Sequence, residues 1–260
     1  MAGKNESVGK TLLVAFLVCL VCAVVVSTAA VSLRPVQQKN QTLDRRVNIL
    51  QAADLYQPGM DVEKAFNTIE RKFIDLETGE YVEKPDSYDQ LKAAKDPDRS
   101  ERLSGEEDIA GIKSQADVAE VFLARKDNGE LSRIILPVRG YGLWSTLYGF
   151  MALEADGKTI AGLGFYQHGE TPGLGGEVDN PKWKALWEGK KLYDEDGDIA
   201  IEVVKGSVDS GTPNAENKVD GLAGATLTSK GVSNLVRFWV GEKGFGPYLE
   251  RMRNQSGGEA

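Results

Sequence analysis

The stretch Asp220-Gly221-Leu222-Ala223-Gly224-Ala225-Thr226-Leu227-Thr228-Ser229 places three hydroxyls just ahead of an apolar-periodic run. Val232, Leu235, Val236, Trp239 and Val240 fall at i, i+3, i+4, i+7 and i+8, which is one face of an α-helix. Thr226, Thr228 and Ser229 are each candidates for its N-cap. Gly224 allows the chain a sharp turn there. The positive end of such a helix holds a phosphate well. Taken alone, hydroxyls before a helix are common caps, and capping is the simpler account of them.

A second stretch, His168-Gly169-Glu170-Thr171-Pro172-Gly173-Leu174-Gly175-Gly176-Glu177, has four glycines in ten residues. They let the backbone approach a flat ligand and expose N–H donors. His168, Glu170 and Thr171 are polar handles, and Leu174 can press on a ring. A tight loop at a strand end explains the same residues. A third stretch, Gly140-Tyr141-Gly142-Leu143-Trp144-Ser145-Thr146-Leu147-Tyr148-Gly149, sets three aromatic rings among glycines. It reads as a core edge before it reads as a stacking surface.

Other chemistries are poorly supplied. The chain has one His, so a Ser-His-Asp triad would have to use His168, and no Gly-x-Ser-x-Gly elbow accompanies it. The only cysteines, Cys19 and Cys22, lie in an apolar run, and a structural zinc site wants four ligands. No metal site is expected. The net charge is −8, with no basic stripe interleaved with aromatics, which argues against nucleic-acid binding. Gly162-x-Gly164 sits within a strand pattern and makes no dinucleotide fingerprint.

These candidates need elements to hold them. Residues 11–33 carry no charge and, at about 1.5 Å per residue, reach across a bilayer core, so a single transmembrane helix is expected. The run is longer than the apolar part of a cleaved signal peptide. Lys4 and Lys10 on one side, and Arg34, Lys39, Arg45 and Arg46 on the other, leave its orientation open. Helical spacing continues as a stalk to about residue 53, and Pro58-Gly59 breaks it. Asp61 caps a further expected helix, with Val62, Ala65, Phe66, Ile69 and Phe73 on its buried face. Residues 75–115 read as polar and irregular. Strands are expected at 118–125, 131–138, 147–154 and 159–167, paired through Asp127-Asn128-Gly129 and Asp156-Gly157. A short helix at 181–187 and a strand at 199–204 follow. The fold class is α+β: one N-terminal transmembrane helix, then an antiparallel sheet with packed helices. The boundaries are a tail at 1–10, the anchor at 11–33, a stalk and irregular part at 34–115, the main domain at 116–250 and a disordered tail at 251–260.

Together, and in their order along the chain, the three stretches resemble the C-subunit family of bacterial sodium-translocating NADH:quinone oxidoreductases, within the wider FMN-binding domain family. The N-terminal anchor fits as well, so the likeness covers nearly the whole chain. Rnf complexes have a similar subunit, but the Trp144 run and the long segment before it point to the quinone reductase. The family's attachment pattern is Asp-x-x-Ser/Thr-Gly-Ala-Thr. Asp220, Gly224, Ala225 and Thr226 match it, and position 223 departs from it as Ala. The resemblance implies covalent FMN joined through a phosphoester to Thr226, with Thr228 as the fallback acceptor. It implies an FMN site that includes Gly224, Ala225, Trp144, Glu170, Thr171, Gly173, Leu174 and Gly175. The redox chemistry would belong to the flavin, with no catalytic side chain. It also implies a flavin transferase for maturation, electron-transfer partners among other subunits of an inner-membrane complex, a periplasmic domain and a cytoplasmic tail at 1–10. An anchored scaffold without flavin is the contrasting expectation.

Overall fold

The computed structural model describes residues 8–256. The chain divides into two compact units, Met1–Asp44 and Arg45–Ala260. Helix α1 (Val8–Ala52) supplies the first unit, where it is exposed at every described position. It is long and apolar enough to cross a membrane and contains the expected span. Cys19 and Cys22 are free, exposed thiols on it. Most of the expected tail at 1–10 lies outside the described residues.

The second unit continues with α2 (Val62–Phe66), β1 (Ile69–Asp75), α3 (Gln90–Ala93), β2 (Ser100–Arg102) and β3 (Ser114–Ala116). Then come β4 (Val118–Arg125), β5 (Leu131–Tyr141), β6 (Thr146–Glu154) and β7 (Ile160–Gln167). After them stand α4 (Pro181–Lys184), β8 (Glu202–Val203), β9 (Lys218–Val219), α5 (Thr226–Val240) and α6 (Gly246–Ser256). The main sheet has the order β1-β4-β5-β6-β7, antiparallel throughout. Gly129 and Gly157 take φ of +87° and +63° in the two hairpin turns, where a side chain would be strained.

Both sheet faces are covered, and the strand period of two sorts the residues between them. Val121, Leu123, Ile134, Leu136, Met151 and Leu153 join a core with α5 and α6. Their neighbours Phe122, Ala124, Ile135, Phe150 and Ala152 join Ile49, Leu50, Ala52 and Ala53 at the end of α1. Gly162 is needed for that second contact, since a Cβ there would lie 2.5 Å from the Ala52 carbonyl oxygen. Glu120, 4% exposed, points to this second face. It is paired with Arg71 at 2.8 Å and with Arg45, and its backbone N–H donates to Gln90. Two partners and the low exposure make it a buried, neutralised charge.

Several expectations are corrected here. Asp61 does cap α2, accepting from the N–H of Glu63 and Lys64, but the helix ends at Phe66. Ile69 and Phe73 lie on β1, paired with Ala124 and Glu120. A spacing of four suits either period, and the ladder to β4 decides it. Residues 75–115 contain α3 and a two-stranded sheet, β2 with β3, rather than only irregular chain. The expected strand at 199–204 shortens to Glu202–Val203, pairing in parallel with β9. Residues 251–256 continue α6, whereas 257–260 lie outside the described residues.

Candidate functional site

Helix α5 lies against β5, and glycines on both sides allow the approach. A Cβ on Gly231 would sit 2.5 Å from the Tyr141 carbonyl oxygen, and one on Gly140 would sit 2.7 Å from Leu235 Cβ. The Trp239 indole N–H donates to the Arg139 carbonyl at 2.7 Å and fixes the far end. The first turn of the helix therefore stands beside the loop that joins β5 to β6, where Leu143, Trp144 and Ser145 lie.

Glu170 ties the three motif stretches into one body. Its Oε1 accepts from the N–H of Trp144 at 2.9 Å, Leu143 at 3.1 Å and Ser145 at 3.2 Å. Its Oε2 accepts from the Thr228 hydroxyl at 2.7 Å. The side chain is buried, and burial alone would push its carboxyl up. The Thr228 hydroxyl and the three N–H donors outweigh that and hold it below the ordinary glutamate range. Two glycines leave room for the carboxylate. A Cβ on Gly142 would lie 2.7 Å from Oε1, and one on Gly175 would lie 2.7 Å from Oε2 and 2.5 Å from the Thr228 hydroxyl.

The rest of the second loop is built to stay in place. The Leu174 N–H donates to the Thr171 carbonyl at 3.1 Å, and Gly173 takes φ of +75°, closing a turn with Pro172 at its first corner. His168 Nδ1 accepts from the Glu170 N–H at 3.2 Å, so the Nε2 proton faces Asp179 Oδ2 at 2.7 Å. The Ser145 hydroxyl accepts from the Gly169 N–H at 2.6 Å. His168 thus anchors the loop, and its ring nitrogens are occupied.

The loop at 220–225 makes a similar turn. Ala225 N–H donates to the Leu222 carbonyl at 3.1 Å, and Gly224 takes φ of +71°. The N-cap is Ala225, which has no hydroxyl, and no side chain caps the helix. This corrects the expected caps. Thr226 is the first helical residue and is exposed. Thr228 is fully buried with its hydroxyl given to Glu170, and Ser229 uses its hydroxyl to accept from the Leu222 N–H. Thr228 is therefore placed as a strut rather than as a fallback acceptor. Ala223 is exposed at the turn.

Around Thr226 several large apolar side chains face solvent. Trp144 is 66% exposed, Leu227 59% and Leu174 45%. Leu174 reaches the loop ahead of α5, with its Cδ2 3.0 Å from where a Gly224 Cβ would stand. The core-edge reading of the aromatic run is overturned for Tyr141 and Trp144, while Leu147 is buried. On the other side of Thr226 runs a cleft of about 370 Å³ between α5 and residues 202–206. Lys205, Lys230 and Arg237 line it.

Of the expected site residues, Thr226, Trp144 and Leu174 present free side chains, while Glu170, Thr228 and Gly175 hold the loops together. Thr171 and Gly173 form the exposed turn, and Gly224 and Ala225 form the helix entry. The cleft was not foreseen from the sequence. Lys230 stands four residues after Thr226 and so on its helix face, which was a readable signal. Nothing in the sequence brings Lys205 to the same place. Among the described residues no group of three or more His, Cys, Asp or Glu is placed to hold a metal.

A model of the FMN-binding domain family matches residues 142–241, which contain all three motif stretches from Gly142 onward. The C-subunit of the Na(+)-translocating NADH-quinone reductase of Pseudomonas aeruginosa is 56% identical, over 96% of this chain and 98% of its own length. The corresponding C-subunit of Yersinia pestis is 49% identical over 96% and 95%. Among solved structures, NqrC of Shewanella oneidensis has a TM-score of 0.76 at 37% identity, covering 84% of this chain and 99% of that one.

Proposed function

The chain belongs to the C-subunit family of Na(+)-translocating NADH-quinone reductases, and from that premise we propose that it carries FMN covalently, through a phosphoester at Thr226. As in its relatives' names, it works as one subunit of an oxidoreductase complex, and other subunits are its partners. The observation that carries the attachment is the setting of Thr226. It is an exposed hydroxyl on the first residue of a helix whose N-terminus no side chain caps. Helix N–H groups and the helix dipole are favourable to a phosphate there.

The residues present fit the cofactor. Trp144, Leu174 and Leu227 offer exposed apolar surface to a flat ring, and the Glu170 bonds hold Trp144 and the Leu174 loop to the same helix. FMN supplies one- and two-electron redox chemistry, and the protein supplies its position and surroundings. Thr226 keeps the group from diffusing away. Gly224 gives the chain the positive φ that aims Thr226 outward. No side chain needs to act as an acid, a base or a nucleophile during electron transfer.

The helix α1 anchors the protein in the inner membrane, with the chain from about residue 34 onward on the periplasmic side and the tail at 1–10 cytoplasmic. A flavin transferase on that side loads Thr226. The test is intact mass and in-gel flavin fluorescence of the full chain, co-expressed with the transferase, beside Thr226→Ala. Fluorescence that survives denaturation and disappears in Thr226→Ala is expected. Wild-type protein that stays free of bound flavin in a competent host overturns the reading in favour of a scaffold.

A further inference from the structure

The cleft beside Thr226 is unlike the apolar rim that faces Trp144. Its walls are α5 on one side and residues 202–206 on the other, and hydroxyls pin the two together. Ser233 accepts from the Val203 N–H at 2.6 Å. Ser229 accepts from the Leu222 N–H at 3.0 Å, and Gly221 N–H donates to the Gly206 carbonyl at 2.8 Å. The contact at Gly221 is close, since a Cβ there would lie 2.3 Å from the Val204 carbonyl oxygen. The cleft is therefore formed before any ligand arrives.

These pins also set the level of each charge along the helix. Val203 is held at Ser233, and Gly206 is held near Ser229, so Lys205 lies between those levels. Lys230 is four residues after Thr226 and shares its helix face. Arg237 is eleven residues on, about 16 Å along the axis. Neither Lys205 nor Lys230 makes an ion pair or a side-chain hydrogen bond among the described residues, and both are exposed. Glu202 lines the cleft at the Arg237 end, within 3.9 Å of Lys218. The Thr226 end of the cleft is thus positive, on a chain whose net charge is −8.

We propose that Lys205 and Lys230 form the phosphate subsite of the flavin nucleotide, at the mouth of this cleft. The proposal rests on the FMN reading for the identity of the nucleotide, but not on the covalent bond. Two lysines that line the cleft within about two turns of the start of α5 give a phosphate at Thr226 countercharge, and the first-turn N–H groups add donors. The ring is left to the apolar side of Thr226. Lys205 and Lys230 then act as positioning residues: they hold the phosphate before and after it is joined to Thr226.

The experiment compares free FMN with riboflavin, which lacks the phosphate, by fluorescence titration of full-length Thr226→Ala protein in detergent. FMN is expected to bind about tenfold tighter or more, with inorganic phosphate competing. Lys205→Gln and Lys230→Gln should each cut the FMN-to-riboflavin ratio about fivefold, and together bring it close to one. Arg237→Gln, at the far end, should leave the ratio unchanged. Equal affinity for FMN and riboflavin in Thr226→Ala overturns the subsite, and so does an Arg237→Gln loss as large as that from the lysines. Repeating the phosphate titration on flavin-loaded wild-type protein tests the joined state. Lost phosphate binding is expected, because the tethered group fills the subsite, and retained binding overturns the claim that the lysines hold the joined phosphate. A covalent reading that failed would show separately, as wild-type protein without bound flavin.

Discussion

Glu170→Gln tests whether one buried carboxylate holds the site together. The wild-type side chain accepts three backbone N–H bonds and the Thr228 hydroxyl, all charge-assisted. The glutamine amide can keep its oxygen on the 143–145 loop, but its NH2 then faces Thr228. The substitution turns bonds worth about 1.5–3 kcal/mol into bonds worth about 0.5–1.5 kcal/mol. Bonds that share one carboxylate do not add, so a net loss of about 2–3 kcal/mol at pH 7 is expected. The pH dependence gives a second, sharper check. The carboxyl of Glu170 is held below its ordinary value in the folded protein, the Thr228 hydroxyl and loop N–H groups outweighing burial. Its stabilisation is therefore complete above the unfolded value of about 4.3 and is lost as pH falls through the lower folded value. Other carboxylates titrate alike in both proteins and cancel in the difference. Urea unfolding of wild type and Glu170→Gln, from about pH 7 down to about pH 3, should show a gap that closes below about pH 4. A gap that is already absent at pH 7, or that stays constant to pH 3, would refute the reasoning.

Three further outcomes follow from the packing. Gly231→Ala places a methyl 2.5 Å from the Tyr141 carbonyl oxygen, so α5 must lift from β5; a loss of about 1–3 kcal/mol in urea unfolding is expected despite alanine's better helix propensity. Arg71→Ala leaves buried Glu120 with Arg45 as its remaining cationic partner, and should cost about 3 kcal/mol in the same assay, recovered in part by a second change, Glu120→Gln. Trp144→Ala removes a side chain that is 66% exposed, so stability should move by no more than about 0.5 kcal/mol, while the fluorescence and visible circular dichroism of the bound flavin should change.

Much of this architecture is written locally, and the residues show why. The β4–β5 and β6–β7 hairpins were legible because Asn128-Gly129 and Asp156-Gly157 demand turns and the flanking chains alternate. Helix α5 was legible because its apolar period is sustained over several turns. β1 was not, because Ile69 and Phe73 fit either period and the decisive partner, β4, begins at Val118. The aromatic run was misjudged because exposure depends on tertiary neighbours: Leu147 found some and Trp144 did not. The motif loops were visible as loops, but the role of Glu170 was not. A carboxylate in a glycine-rich stretch suggests a ligand contact, and only the fold brings Leu143, Trp144, Ser145 and Thr228 around it.

The same geometry separates two threonines that the sequence offers as expected acceptor and fallback. Successive residues on an α-helix turn by about 100°, so Thr226 and Thr228 face almost opposite ways. Thr228 points to the sheet side, is fully buried and donates to a carboxylate. Thr226 points away from it, between the apolar rim and the cationic cleft. To use Thr228 as an acceptor, the helix would have to unwind its first turn and leave Glu170 with one donor fewer, in a site where burial already opposes its charge. The buried hydroxyl fixes the direction of the exposed one. A threonine that holds the frame and an exposed threonine proposed to carry the cofactor are thus two halves of one device. The two glycines that make room for Glu170, Gly142 and Gly175, belong to the same frame. The motif stretches therefore divide by direction: the residues turned inward bind one another, and those turned outward are free to meet a flavin.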